Sequence, residues 1–136
     1  MHEWAISESI LNSAIDGARA QGILKLTKIR IGVGELAQLE PDILRFALEK
    51  IKAGTLAGTA ILEIETVPAR FSCRSCENEW GFADVKAKLF SDVGKENPLH
   101  YVPDFIYSFM RCPRCDSPDF NITSGRDTSF SVEGEK

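Results

Sequence analysis

The sequence predicts an α+β fold: two helices packed on one face of a small β-sheet, followed by a small lobe stapled by four cysteines. Three observations carry this expectation. Residues 1–67 switch between a helical apolar period and a two-residue period in the order helix, strand, helix, strand. All four cysteines fall in two Cys-x-x-Cys steps, Cys73-Arg74-Ser75-Cys76 and Cys112-Pro113-Arg114-Cys115. A chain of 136 residues holds one ordinary domain plus a metal-stapled lobe. The division falls at Pro68, giving a main domain over 1–68 and a lobe over 69–136. The lobe contains an inserted linker over 81–110 and a C-terminal strand that can return to the main sheet.

Taken in order, Ile6, Ile10, Leu11, Ala14, Ile15 and Ala18 recur on one helical face, and Gly22 supplies a stop. The residues before them, Met1 to Trp4, are expected to add at most a short edge strand. From Lys25 to Val33 the period drops to two, with Ile29, Ile31 and Val33 opposite Lys28, Arg30 and Gly32, which describes a strand with one wet face. After Gly34-Glu35-Leu36, Pro41 stands at a first helical position. Ile43, Leu44, Ala47, Leu48 and Ile51 then mark a second amphipathic helix, closed at Gly54. Thr59 to Val67 alternates again and Pro68 ends it. Beyond the first cysteine pair, residues 84–93 have weak helical character and 97–110 read as an extended linker with a short helix or strand. Asp119 to Thr123, a turn at Gly125 and an alternating strand over Thr128 to Val132 complete the lobe, and 133–136 are expected to fray.

A Cys-x-x-Cys step turns both sulfurs toward one point, and two steps supply the four thiolates of a closed tetrahedron around Zn²⁺. Cys73, Cys76, Cys112 and Cys115 are therefore the expected ligands of a structural zinc ion in a zinc-ribbon-like lobe, with Phe71 and Trp80 packing beneath it. The competing readings are two disulfides or two redox dithiols. With no charged-then-apolar leader at the start, a reducing cytoplasmic setting is expected, which disfavours disulfides, and a redox motif would want a single pair at a helix start. A four-thiolate site leaves no open position, so it folds the chain and performs no reaction.

Composition narrows the function further. The formal charge is −4, and it divides evenly: residues 1–67 carry 7 Lys and Arg against 9 Asp and Glu, and residues 68–136 carry 9 against 11. Neither half has the basic excess that phosphate neutralisation requires, so nucleic-acid binding is not expected. No apolar run approaches the ~20 residues of a membrane span. A small zinc enzyme would need an open metal position or a nucleophile–base constellation, and neither is visible.

The chain has two histidines, His2 and His100. Singly, each is more ordinarily a solvated or packing residue than a ligand. His2, however, adjoins the α-amine of a retained Met1, whose pKa lies near ~7.7–8. That amine, the intervening amides and the His2 ring can close small chelate rings, and nitrogen-rich sets of this kind suit Ni²⁺ or Cu²⁺. Glu3 adds a carboxylate close by.

Met1-His2-Glu3 before an amphipathic helix, a strand running into Gly34-Glu35-Leu36, a second helix ending in Gly54-Thr55, the strand Leu62-Glu63-Ile64-Glu65 and the two cysteine pairs together resemble the HypA/HybF hydrogenase nickel-incorporation proteins, in the form with a long stretch between the pairs. The resemblance implies that Met1, His2 and Glu3 form the nickel-binding end of a 1–68 nickel domain. It also implies that the four cysteines hold zinc and that the protein delivers Ni²⁺ to the large subunit of a [NiFe] hydrogenase without being an enzyme. A HypB-type nucleotide-hydrolysing protein is the implied partner, some family members also serve urease, and a homodimer is one open assembly. Within the long stretch, His100 is the one further imidazole, and we expect it to be a mobile extra nickel ligand. One departure from the usual knuckle is that Glu77 and Asp116 stand where Gly is common. The alternative reading is a non-enzymatic zinc-ribbon interaction module in which His2 is incidental.

Overall fold

The computed structural model describes residues 2–85 and 110–136. Met1, His100, and the expected helical and linker segments over 86–93 and 97–109 lie outside them. The chain forms two compact units: Met1–Val33, Leu39–Thr66 and Thr128–Lys136 make the first, and Gly34–Gln38 with Val67–Asp127 make the second.

The first unit contains helix α1 (Glu3–Ala20), helix α2 (Pro41–Ile51), the last strand of the chain, β6 (Thr128–Glu135), and all but the final residue of strands β1 (Lys25–Gly34) and β2 (Ile61–Val67). Ile10, Leu11, Ala14, Ile15 and Ala18 of α1 are buried, as are Leu44, Ala47 and Leu48 of α2. The buried Ser7 hydroxyl donates to the Leu44 carbonyl at 3.4 Å and ties one helix to the other. Gly22 has φ +75°, and the amides of Gly22 and Ile23 donate to the carbonyls of Arg19 and Ala18. This left-handed stop satisfies two carbonyls that the helix end leaves open.

The sheet order is β2-β1-β6, and β6 runs antiparallel to β1. Leu26, Ile29, Ile31 and Val33 are all buried although Leu26 is out of phase with the others. A register shift between Leu26 and Lys28 absorbs the extra residue, and Thr27 Oγ1 donates to the Glu133 carbonyl there at 3.1 Å. The opposite face carries ions: Lys28 and Arg30 meet Glu63 at 3.0 and 3.2 Å, and Arg30 meets Glu133 at 3.4 Å.

Two expectations are corrected here. Glu3 and Trp4 belong to the first turn of α1 rather than to an edge strand. His2 is the N-cap, its carbonyl takes the Ile6 amide at 2.9 Å, and the Trp4 ring meets Phe46 of α2 edge-on at 6.2 Å. The tail does not fray: Gly134 and Glu135 pair with Leu26 and Lys25, and the Glu135 carbonyl takes the Leu24 amide at 2.8 Å. A Cβ at Gly134 would lie 2.5 Å from the Lys25 carbonyl, so the close approach requires glycine. In α2, Ile43 is exposed rather than buried, beside the exposed Phe46.

The second unit is a three-stranded antiparallel sheet in the order β4-β3-β5, with β3 at Arg70–Cys73, β4 at Glu79–Gly81 and β5 at Phe120–Ser124. Phe71 stacks on Trp80 at 5.7 Å and meets Phe120 edge-on at 5.8 Å. These rings share one apolar cluster with Leu36, Phe82, Val85, Met110, Cys73 and Cys112. Residues 34–36 are strapped to the neighbouring turns: Leu36 N donates to the Gly125 carbonyl at 2.8 Å, Glu35 N to Val67 O at 2.9 Å and Ala69 N to Glu35 Oε1 at 2.9 Å.

Candidate metal centre

The cysteines lie on two knuckles with matching backbone geometry. In the first, Cys73 N donates to Asn78 O at 2.8 Å and Glu77 N to Cys73 O at 3.0 Å. In the second, Cys112 N donates to Ser117 O and Asp116 N to Cys112 O, each at 2.9 Å. The residues that close the two turns, Glu77 and Asp116, have φ of +65° and +63°. Both side chains therefore sit in the left-handed region that disfavours a Cβ, where glycine would relax the turn.

Each tight turn aims backbone amides at its leading sulfur. Cys73 Sγ accepts the amides of Ser75 and Cys76 at 3.3 and 3.4 Å, and Cys112 Sγ accepts those of Arg114 and Cys115 at 3.4 and 3.5 Å. Asn78 breaks the symmetry, because its side-chain amide also reaches Cys112 Sγ, at 3.8 Å. The knuckles face one another, with Cys73 Sγ 3.5 Å from Cys115 Sγ and Cys76 Sγ 3.6 Å from Cys112 Sγ. All four sulfurs lie within 4.8 Å of one another. A tetrahedron with ~2.3 Å metal–sulfur bonds has edges of about 3.8 Å, so the cluster has the dimensions of a four-thiolate site. The four are free thiols, not disulfides.

The environment splits their acidities. Burial opposes ionisation of Cys112, but the Cys115 and Arg114 amides and the neighbouring sulfurs outweigh it and hold the thiol down at about 6. Cys73 is lowered in the same way: burial acts against the shift, and the amides of Cys76 and Ser75 prevail. For Cys115 the Ser117 amide favours the thiolate, yet burial and the three nearby sulfurs prevail and push it up to about 12. Cys76 is raised although the Asn78 amide acts in the opposite sense, because burial and the Cys112 and Cys73 sulfurs outweigh that bond.

At the amino end, His2 is exposed and makes no side-chain capping bond, whereas Glu3 points inward, only 5% exposed, and its Oε1 accepts the Glu40 amide at 3.3 Å. Glu40 is the N-cap of α2. Glu35 lies in the second unit with its carboxylate on Ala69 N, so a structural bond already engages it. The sequence reading did not foresee the Asn78 amide on Cys112, the Glu3 bond to α2 or Phe120 in the aromatic floor. Of these, only Phe120, an aromatic beside the second knuckle, left any local signal.

The family model described as hydrogenase/urease nickel incorporation, metallochaperone, hypA, matches residues 1–132. The chain belongs to the HypA family. A hydrogenase maturation factor HypA of Thermococcus sibiricus is 42% identical over 138 residues and is covered, like this chain, to 99%. Its counterpart in Thermococcus kodakarensis is 38% identical, over 93% of this chain and 89% of the relative. The fold is also that of the solution structure of the Ni metallochaperone HypA from Helicobacter pylori, with a TM-score of 0.63 at 21% identity, covering 99% of this chain and 98% of that one. HypA-family membership makes this a nickel-metallochaperone-type protein, and its four clustered cysteines are placed to hold a metal ion. Among the described residues no helix is long and apolar enough to cross a membrane.

Proposed function

We propose that the protein is a cytoplasmic, non-enzymatic nickel carrier. It binds Ni²⁺ through Met1, His2 and Glu3 in the 1–68 segment, and holds a structural Zn²⁺ through Cys73, Cys76, Cys112 and Cys115 in the 69–136 segment. It delivers nickel to a [NiFe] hydrogenase large subunit in concert with a HypB-type nucleotide-hydrolysing partner. The observation that carries this reading is His2 itself, exposed at the N-cap of α1 with no side-chain capping bond.

Zinc, when bound, supplies fixed charge and a cross-link between the knuckles; with four sulfur ligands it has no open position for chemistry. Nickel is cargo. The positive end of a helix dipole disfavours a cation by ~0.3–1 kcal/mol, so Ni²⁺ at the start of α1 gains strength only as the amine and amides lose protons and supply anionic nitrogen. Such a site holds its ion at neutral pH and yields it when protons or competing ligands arrive. His100 is the proposed additional ligand, engaged or released under the partner's control.

The test is a nickel titration of zinc-loaded protein with its native amino terminus, beside His2→Ala and a form extended by one residue before Met1. Tight binding only in the native form supports the proposal. Equal binding in all three returns the protein to the interaction-module reading.

A further inference from the structure

The four cysteines differ in how exposed they are. Cys73 and Cys112 are buried, Cys76 is half-buried and Cys115 is exposed. Cys112 accepts two backbone amides and the Asn78 side chain. Each such donor draws electron density from the sulfur and lowers its nucleophilicity. The sulfur–sulfur approaches at 3.5 and 3.6 Å run between the knuckles, from Cys73 to Cys115 and from Cys76 to Cys112.

On these grounds we propose that the four-cysteine centre is an oxidant-sensitive clasp, in which a hydroperoxide reacts first at Cys115 and Cys73 then closes a disulfide across the knuckles, releasing the metal. The inference rests on the zinc reading above. With zinc bound all four sulfurs are thiolates, so access and hydrogen bonding decide the order of attack. The Cys115 thiolate displaces hydroxide from hydrogen peroxide, breaking the O–O bond and forming a sulfenic acid. The Cys73 thiolate then attacks that sulfur and expels a second hydroxide, forming the S–S bond. Two sulfurs are oxidised by two electrons in all, the peroxide is reduced to two waters with two protons from solvent, and Zn²⁺ leaves because two thiolates remain. Cys112, the partner within the same pair, is the poorer resolving group because three donors already occupy its sulfur. The new bond joins the end of β3 to the turn before β5, so the knuckles stay together without metal and can reclaim it on reduction.

The test uses the zinc-loaded full chain treated with hydrogen peroxide. Zinc content and sulfur ligation, by X-ray absorption, are measured first. A metal not held by four sulfurs overturns the zinc reading and this inference together. Given that ligation, zinc release is followed with a colorimetric chelator and disulfides are mapped by non-reducing peptide mass spectrometry over time. The expected result is loss of one zinc per chain with a Cys73–Cys115 peptide in several-fold excess at the earliest times, reversed by dithiothreitol and added zinc. A first disulfide of Cys112–Cys115 or Cys73–Cys76, or zinc loss preceding any oxidation of Cys115, overturns it. As a second arm, Asn78→Ala unshields Cys112 and should raise the share of disulfides that contain Cys112; an unchanged distribution overturns the shielding argument.

Discussion

A Cβ placed on Gly34 would press on the carbonyl oxygen of Gly125, the same oxygen that takes the Leu36 amide at 2.8 Å. It would also lie 2.7 Å from the Asp127 carbonyl, and a Cβ on Gly125, at φ +78°, would lie 2.5 Å from Ala69 Cα. Backbone meets backbone here, and no flexible side chain can yield. Gly34→Ala and Gly125→Ala should each lower stability by about 1–3 kcal/mol, as overpacking does. Gly17, inside α1 with nothing within 4 Å of its missing Cβ, is the control. There Gly→Ala should raise stability by about 0.5–1 kcal/mol, because helix interiors disfavour glycine. Denaturant melts of the three variants check both signs.

Glu77 and Asp116 hold left-handed backbone at matching places on the knuckles. Replacing either by Gly should stabilise the zinc-loaded protein by up to about 1 kcal/mol, the left-handed penalty of an L-residue less the entropy glycine adds to the unfolded chain. Thermal midpoints measured with zinc in excess read this directly. A decrease in both variants would show that the side chains contribute more than their backbone strain removes.

The acidities of the sulfurs predict a pH dependence for the reduced, metal-free form. Cys112 is depressed from 9.0 to about 6, so its contribution to stability is fully present above pH 9 and disappears as pH falls through 6. Cys115 is raised from 9.0 to about 12, so the folded state retains a proton that the unfolded state loses, and stability falls as pH rises from 9 toward 12. The thermal midpoint should climb between pH 6 and 9 and decline above, and Cys112→Ser should flatten the climb. Zinc binding at neutral pH should release about three protons or fewer, since Cys112 is already ionised. Calorimetry in buffers of different ionisation enthalpy counts them.

The Glu3 carboxylate, buried and bonded to the Glu40 amide, does a structural task beside any metal role. Glu3→Ala should lower stability by about 1–3 kcal/mol by leaving that amide without its acceptor. Glu3→Gln, which keeps an acceptor oxygen, should recover part of the loss. Chemical denaturation without nickel isolates this effect from coordination.

Nickel affinity should fall as pH drops below neutral, because amine, amides and imidazole must all lose protons to bind. Isothermal titration between neutral and mildly acidic pH measures the slope. A flat profile would rule out amine and imidazole ligation.

The sequence by itself determined the two helices, the strands β1, β2, β5 and β6, and the candidacy of the four sulfurs as ligands, but not β3, β4 or the helical first turn at Glu3 and Trp4. Periods of 3.6 and 2 over Ile10 to Ala18 and Ile29 to Val33, the stop at Gly22 and the two Cys-x-x-Cys spacings are local quantities, legible without knowing what lies across the molecule. Only the tertiary structure decided that β6 pairs with β1, that a register shift carries Leu26 into the core, that Glu3 turns inward to α2 and that Cys115 is the exposed cysteine. Each of these depends on residues far apart in the chain, as Leu26 and Gly134 are. Burial and hydrogen bonding are set by which distant segments meet, and no window along the chain contains that information.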